Sequence, residues 1–504
     1  MDLILDRASN VPLFAQIAAQ LRTHILGGLL PEGFRLPPER RLADSLGVSR
    51  TTVLAAYRTL KDQGLVDACV GRGTRVRGCT THAAAADRRA VSGLPWGQLL
   101  RGGGESVADP LIRDLLAMAE RHDVISLSVG LPASDLLPVA AVRDALDRVM
   151  ARSGALVLQH CPTEGHTPLR ESLASWFVTR QIQCRPDEVI VLSGSQQGLD
   201  LLARQLLSPG DTVIVEEPSY LGALHVFRRC GVRLVAIPMD AEGLRTDLLA
   251  EAVDRHRPQL IYTLPTFQNP SGAVMSLKRR QELLAVAARV GAPVLEDDPY
   301  VELRYDGPRL PSLKALDRDG VVLHLGTFSK VLSPGLRLGY LVAPRPVIRA
   351  LTLLKQGTDL HTASVGQWVL DLMLRDNLVE PHLARIRPAY RERRDAMLAA
   401  LEEHLAGRLQ WTRPDGGFYV WARAVRPLHP SALLAAAADE GVSVLPGETC
   451  FAQPPDAAYL RLAFSNPEPD RIRIGIARLA AALSRIDRGD GDDASPRDET
   501  RPLV

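Results

Sequence analysis

The chain has 504 residues, 46% hydrophobic and 23% charged, the profile of an ordinary folded protein long enough for roughly three domains. Lys+Arg 60 against Asp+Glu 58 leave a formal charge of +2, so neither whole-chain basicity nor whole-chain acidity points to a partner. The basic surplus sits at the start, where residues 1–78 hold eleven Lys/Arg against seven Asp/Glu. No stretch approaches the roughly 18 apolar residues of a spanning helix, and MDLILDRASN lacks a basic segment followed by an apolar one. A cytoplasmic protein with no membrane segment is therefore expected. Six scattered cysteines (Cys69, Cys79, Cys161, Cys184, Cys230, Cys450) form no C-x-x-C pair, which argues against a disulfide framework or a metal site. Lysine occurs only at 61, 278, 314, 330 and 355, so one in an unusual context draws attention.

Leu13, Ile17, Leu21 and Ile25 recur every four residues and predict a first helix with one apolar face, ending at Gly27 and Gly28. Pro38 suits the first turn of a second helix, PERRLADSL. Gly47 breaks that helix, and Ser49 can cap a third, RTTVLAAYRTLKDQ, which stops at Gly64. This is a helix-turn-helix pattern. The third helix is expected to bury Val53, Ala56, Tyr57 and Leu60 and to present Arg50, Thr51 and Thr52 where a recognition helix meets base edges and phosphates. LVDACV and TRVRG flank Gly71, Arg72 and Gly73 and read as a hairpin with a tight tip, its arginines within reach of a phosphate or the minor groove. The run GFRLPPERRLADSLGVSRTTVLAAYRTLKDQGLVDACVGRGTRV resembles the DNA-binding domain of the GntR family of bacterial regulators. The resemblance implies a winged helix-turn-helix over residues 1–78, with DNA contacts from Arg40, Arg50, Thr51, Thr52 and the wing segment Gly71, Arg72, Gly73.

Residues 79–110, rich in Ala, Gly and polar side chains, read as a linker. From 111 to 486 short apolar runs alternate with amphipathic ones, as in VIVLSG, QQGLDLLARQLL and PGDTVIVEEP, which argues an α/β fold with a mostly parallel sheet. Residues 487–504 hold almost no apolar residues and are expected to be a disordered tail.

Within the large domain the segment GTFSKVLSPGLRLGY, residues 326–340, follows a strand-like VVLHLG and carries Lys330. A Schiff-base lysine must be desolvated enough to lose its proton, and hydroxyls at Thr327 and Ser329 with a guanidinium at Arg337 suit a phosphate beside it. SGSQQGLD starts a helix whose N–H groups near Gly194, Ser195 and Gln196 would point at a phosphate. Tyr220 in EEPSY, Asn269 in TFQNPSG, Asp297 and Tyr300 in LEDDPY, and Arg461 in RLAFS follow strands or turns. Each alone suits a core aromatic, a common turn or a surface ion pair as well. In this order they resemble the fold-type-I aminotransferases across nearly all of 120–486, with GGFYVW and GVSVLPG fitting a smaller C-terminal subdomain. The resemblance implies pyridoxal 5'-phosphate on Lys330, Tyr220 stacked on its ring, Asn269 and Tyr300 at its 3′ oxygen, and Asp297 at the pyridine nitrogen. Arg461 would grip a carboxylate. In LQHCPTEGHTPLRE, His160 stands where that family has a Tyr reaching the phosphate of the neighbouring subunit, so a homodimer is implied and this contact is altered.

A GntR-type reader fused to such a domain resembles the MocR subfamily of transcription regulators. That resemblance implies a regulator binding a double-stranded DNA operator, pyridoxal phosphate and an amino acid or amine effector. An Arg that the GABA-responsive type carries two residues after the stacking aromatic is Gly222 here. The residues leave two further readings open: an active aminotransferase with Lys330 as general base, and a reader on a cofactor-free dimerisation scaffold.

Overall fold

The computed structural model describes residues 12–26, 30, 34–62, 65–69, 73–76 and 123–487. The chain separates into two units, Met1–Gly104 and Glu105–Val504, dividing inside the segment read as a linker. That linker, the wing-tip residues Gly71 and Arg72, and the tail from 488 lie outside the described residues.

In the first unit α1 (Leu13–Leu26), α2 (Glu39–Leu46) and α3 (Arg50–Asp62) enclose a small core. Ile17, Leu21 and Ile25 from α1 meet Leu42 from α2 and Val53, Ala56 and Leu60 from α3, so the four-residue spacing does mark the buried face. Ser49 caps α3: its Oγ accepts the backbone N–H of Thr52 at 3.1 Å, satisfying one of the four donors a helix start leaves orphaned. Strands β1 (Val66–Cys69) and β2 (Gly73–Val76) pair antiparallel from Val66↔Val76 to Cys69↔Gly73. A further edge joins them: the Leu36 N–H donates to the Thr74 carbonyl and the Val76 N–H to the Phe34 carbonyl, both at 2.9 Å. Three residues between Gly33 and Pro37 are too few to show a period of two, which is why pattern reading misses this edge.

The second unit is built on an eight-stranded sheet. Its strands are β4 (Val189–Leu192), β5 (Thr212–Glu217), β6 (Arg233–Asp240), β7 (Gly243–Leu244), β8 (Leu260–Thr263), β9 (Val294–Asp297), β10 (Val322–Thr327) and β11 (Gly339–Val342), in the order β4-β11-β10-β9-β8-β5-β6-β7. Neighbouring strands are parallel except at β11, which runs against both neighbours, and at the edge strand β7. VIVL, LIYT, VLED and VLHLGT are buried along their whole length because helices cover both faces. Alternation sorts the faces: Ile190 and Leu192 pack with Leu199 and Leu202, whereas Val189 and Val191 pack with Leu169 and Phe177.

A smaller antiparallel sheet follows, β12 (Leu409–Trp411), β13 (Tyr419–Ala424), β16 (Tyr459–Ala463) and β15 (Leu445–Pro446), covered by helices Val379–Leu405 and Pro469–Asp487. The first described strand of this unit, β3 (Ile125–Ser126), pairs in parallel with β14 (Val442–Ser443) rather than with its sequence neighbours. The large sheet is the mostly parallel α/β sheet that the alternation predicts, and the small one is the C-terminal subdomain that the aminotransferase resemblance implies. Among the described residues no helix is long and apolar enough to cross a membrane.

Candidate active site

Ligands in open α/β sheets bind beyond the carboxyl ends of the parallel strands, and a cavity of ≈ 460 Å³ opens there. The ends of β4, β5, β9 and β10 deliver Gly194, Tyr220, Asp297 and Thr327 to its wall, and β16 delivers Arg461 from the smaller sheet. Lys330, Ser195, Gln196, Asn269, Tyr300, Ser329 and Arg337 complete the set expected from the sequence. Of the predicted cofactor and carboxylate residues only His160 is elsewhere. It is exposed, and its Nδ1 lies 2.9 Å from Nε2 of His361.

The end of the cavity at helix Ser195–Leu206 is shaped by glycine. Gly194 has φ +92°, and a Cβ there would lie 2.6 Å from Nη2 of Arg337, so only glycine supplies both the left-handed backbone and the space. Arg337 itself donates to the Ser193 carbonyl at 2.8 Å. A Cβ on Gly339 would stand 2.9 Å from the backbone N of Ser195, the first residue of helix Ser195–Leu206. That helix has no side-chain cap, which leaves its first N–H groups and the positive end of its dipole to the cavity. Thr327 Oγ1 donates to the Leu338 carbonyl and accepts from the Ser329 backbone N–H, both at 3.1 Å, so Thr327 orders the turn that presents Ser329 and Lys330.

At the other end Asp297 is 2% exposed. Its Oδ2 accepts from the Tyr262 hydroxyl at 2.9 Å, while Oδ1 is buried without a partner. Burial pushes this carboxyl up to about 7, against the opposing pull of the Tyr262 hydrogen bond. An orphaned carboxylate oxygen at the cavity wall is what a protonated pyridine nitrogen requires. The flanking acids of LEDDPY turn the other way, and Glu296 accepts from the backbone of Leu313 at 2.6 Å and of Lys314 at 3.0 Å.

The Lys330 Nζ donates to the Gly130 carbonyl at 3.0 Å. Burial lowers its pKa, Arg461 and Arg337 add to the effect, and Tyr419 and Asp297 oppose it. Arg461 donates from Nη1 to Asn269 Oδ1 at 3.0 Å and from Nη2 to the Ser128 carbonyl at 2.9 Å, and its buried Nε has no partner. The Tyr220 hydroxyl donates to Gln196 Oε1 at 3.3 Å. These residues fit pyridoxal phosphate: a poised amine, an orphaned acid for the ring nitrogen, a glycine-lined anion cradle and a guanidinium with a spare donor.

Sequence reading missed Ser128, Gly130, Leu131, His225, Leu445 and Tyr419, all on the cavity wall. Tyr419 lies in GGFYVW, for which the resemblance implies only a place in the small subdomain. The signal available was strand alternation, which puts Tyr419 and Trp421 on one face.

In the reader unit Arg40, Arg50 and Thr51 are exposed and Val53, Ala56, Tyr57 and Leu60 are buried, as expected. The hydroxyls of Thr51 and Thr52 lie 2.7 Å and 2.8 Å from Ser49 Oγ, an arrangement that orders the start of α3.

Residues 122–479 match the family model for aminotransferase class I and II, and residues 13–76 that for bacterial regulatory proteins of the gntR family. The uncharacterized HTH-type transcriptional regulator YisV of Bacillus subtilis (strain 168) is 34% identical over 481 residues, covering 95% of this chain and 98% of that one. The probable rhizopine catabolism regulatory protein MocR of Rhizobium meliloti is 32% identical over 486 residues, covering 96% of each. Among solved structures, LysN, the alpha-aminoadipate aminotransferase of Thermus thermophilus complexed with N-(5'-phosphopyridoxyl)-L-leucine, superposes with a TM-score of 0.73 at 38% identity, over 78% of this chain and 100% of that one. A reader and a pyridoxal-phosphate fold on one chain, matched end to end by regulators of the same layout, establish that the chain belongs to the MocR-type regulators of the GntR family.

Proposed function

We propose that the N-terminal unit grips a double-stranded operator through Arg40, Arg50, Thr51, Thr52 and the wing segment Gly71, Arg72, Gly73, and that an amino compound in the cavity alters that grip. The single observation that carries the reading is the orphaned Asp297 Oδ1 at one wall of a cavity whose other wall holds Lys330, in a chain that also carries a reader. When bound, pyridoxal phosphate supplies an electron sink beside an amine. Lys330 holds it, Asp297 keeps a proton on its ring nitrogen, and the first turn of helix Ser195–Leu206 with Ser329 and Arg337 takes the phosphate. Arg461 orients a ligand carboxylate with its spare Nε–H. A ligand that binds two arrangements of the protein unequally must shift operator affinity by the same coupling energy, typically about 1–3 kcal/mol.

The working form is proposed to be a cytoplasmic homodimer, with residues 1–78, 79–110 and 111–486 acting as reader, linker and sensor. Leu156 and Leu158 are each 66% exposed and Leu353 72%, apolar surface of the kind a second copy covers. His160 follows this stretch and would act on the neighbouring subunit's phosphate.

The test is fluorescence anisotropy of the full protein on DNA from upstream of its own gene, at fixed salt, with pyridoxal phosphate and then a panel of amines and amino acids. Selective binding that shifts with cofactor or one amine supports the regulator; binding indifferent to every ligand refutes it. Lys330→Ala should lose the borohydride-reducible cofactor. The complete donor set favours a second reading, an active aminotransferase. Steady turnover with a 2-oxo acid after deletion of residues 1–78 would select it.

A further inference from the structure

Tyr419 touches Arg461, Tyr300 and Gly130 at the cavity wall, although no part of the functional reading uses it. On β13 and β16, Trp421 pairs with Arg461 and Tyr419 with Ala463, so Tyr419 and Arg461 are diagonal neighbours on one face. Arg461 Cζ stands 4.2 Å from the centre of the Tyr419 ring. The Tyr300 hydroxyl donates to the Tyr419 hydroxyl at 3.2 Å. The third contact is with the segment that holds Lys330. A Cβ on Gly130 would fall 2.0 Å from Tyr419 Oη, so this residue is glycine because the phenol occupies its side, and the Gly130 carbonyl is the acceptor for Lys330 Nζ.

We infer that Tyr419 is the positioning residue of this site: its ring backs Arg461 against a ligand carboxylate and its hydroxyl orders that of Tyr300 toward the cofactor. The inference rests on the cofactor reading above. A hydroxyl has one hydrogen to give, and Tyr300 now gives it to Tyr419. With pyridoxal phosphate bound, Tyr300 would need that hydrogen for the 3′ oxygen, and the Tyr419 hydroxyl, which can donate as well as accept, would then donate to Tyr300 in turn. The chain Tyr419 to Tyr300 to 3′ oxygen then strengthens each of its members. The groups facing the phenol are Arg461, Lys330, Tyr300, Cys450 and Tyr220, with Asp297 in the same cavity. Against the upward push of burial, Arg461, Lys330 and the hydrogen bond received from Tyr300 together hold it below the ordinary phenol range, whereas Tyr300 is held well above it.

The test uses the full-length, cofactor-loaded protein, whose visible absorbance is titrated against pH. Without the Tyr419 hydroxyl, Tyr300 donates less strongly and more negative charge stays on the 3′ oxygen, which holds the neighbouring nitrogen's proton to higher pH. Tyr419→Phe should therefore raise the midpoint by about 0.5 pH unit. Added to Tyr300→Phe it should change nothing further. Tyr419→Leu also removes the ring, and should weaken L-leucine relative to Tyr419→Phe by about tenfold while leaving methylamine, which has no carboxylate, unaffected. An unshifted midpoint in Tyr419→Phe, additive shifts in the double variant, or equal weakening of L-leucine and methylamine overturns the inference. If the wild type itself shows no visible band, the cofactor reading falls and this one with it; a normal wild-type band with an unshifted variant sinks this inference alone.

Discussion

Asp297→Asn separates two effects that the acid combines. The amide oxygen can still accept from Tyr262, so the substitution removes the titration and little else. Burial carries the Asp297 pKa from 3.8 to about 7 in the cofactor-free protein. Below about pH 4 the carboxyl is protonated folded and unfolded, and contributes nothing. Between about 4 and 7 the native state keeps a proton that the unfolded chain has lost, so stability falls as pH rises. Above about 7 the loss is complete, about 4 kcal/mol at most. A buried amide with one unmet group returns about 1–3 kcal/mol of cost. The cofactor-free variant should therefore melt higher than wild type at about pH 8, by a few degrees, and lose that advantage by about pH 5. With pyridoxal phosphate the advantage shrinks, because the cation at the ring nitrogen has lost its partner. Affinity should fall at least about tenfold, about 1.4 kcal/mol of ligand stabilisation. Thermal unfolding at both pH values, with and without cofactor, measures all of these differences. Parallel pH profiles for the two cofactor-free proteins would refute the buried titration. Equal cofactor stabilisation would remove Asp297 from the ring nitrogen.

Gly194→Ala must adopt φ +92° and drive a methyl toward Arg337, so cofactor affinity should drop at least about tenfold with a stability cost of about 1–2 kcal/mol; absorbance titration and melting check the two parts. Arg50→Ala, exposed at the start of α3, should reduce the slope of log affinity against log salt by about 1, and an unchanged slope would take Arg50 off the DNA. Glu302, 3% exposed, accepts from Arg180 at 2.7 Å, Arg309 at 2.8 Å and Arg387 at 3.2 Å. Glu302→Ala removes one of the two acids on Arg180, the other being Glu380, and should cost about 3 kcal/mol in denaturant unfolding, without shifting the absorbance of the bound cofactor.

What the sequence carried was whatever is local. Lys330, Thr327 and Ser329 share one turn, Gly194 to Gln196 one helix start, and the four-residue spacing of α1 one face, so each group could be read as a unit. What it hid was long in range. Lys330 and Gly130 are 200 residues apart, Arg461 and Ser128 333, and Tyr300 and Tyr419 119. No periodicity reports that a tyrosine on one strand will sit against an arginine on the next and a glycine from the far end of the unit. The mixed sheet was legible as a class, whereas its order, with β11 reversed between β4 and β10, depends on crossovers that leave no local trace. His160 shows the same limit from another side: its ring meets that of His361, 201 residues further along the chain.

The pairing of β3 with β14 also sets a timetable for synthesis. Ser128 Oγ and Ser443 Oγ, 3.1 Å apart, are separated by 315 residues, so β3 meets its partner strand only when nearly the whole chain has left the ribosome. At about 5–20 residues per second that wait is roughly 15 to 60 seconds. The reader, by contrast, closes its described core between Ile17 and Val76. A nascent chain thus carries a finished DNA-binding unit while its sensor is still an open polymer, and interrupted translation would release the grip without the control.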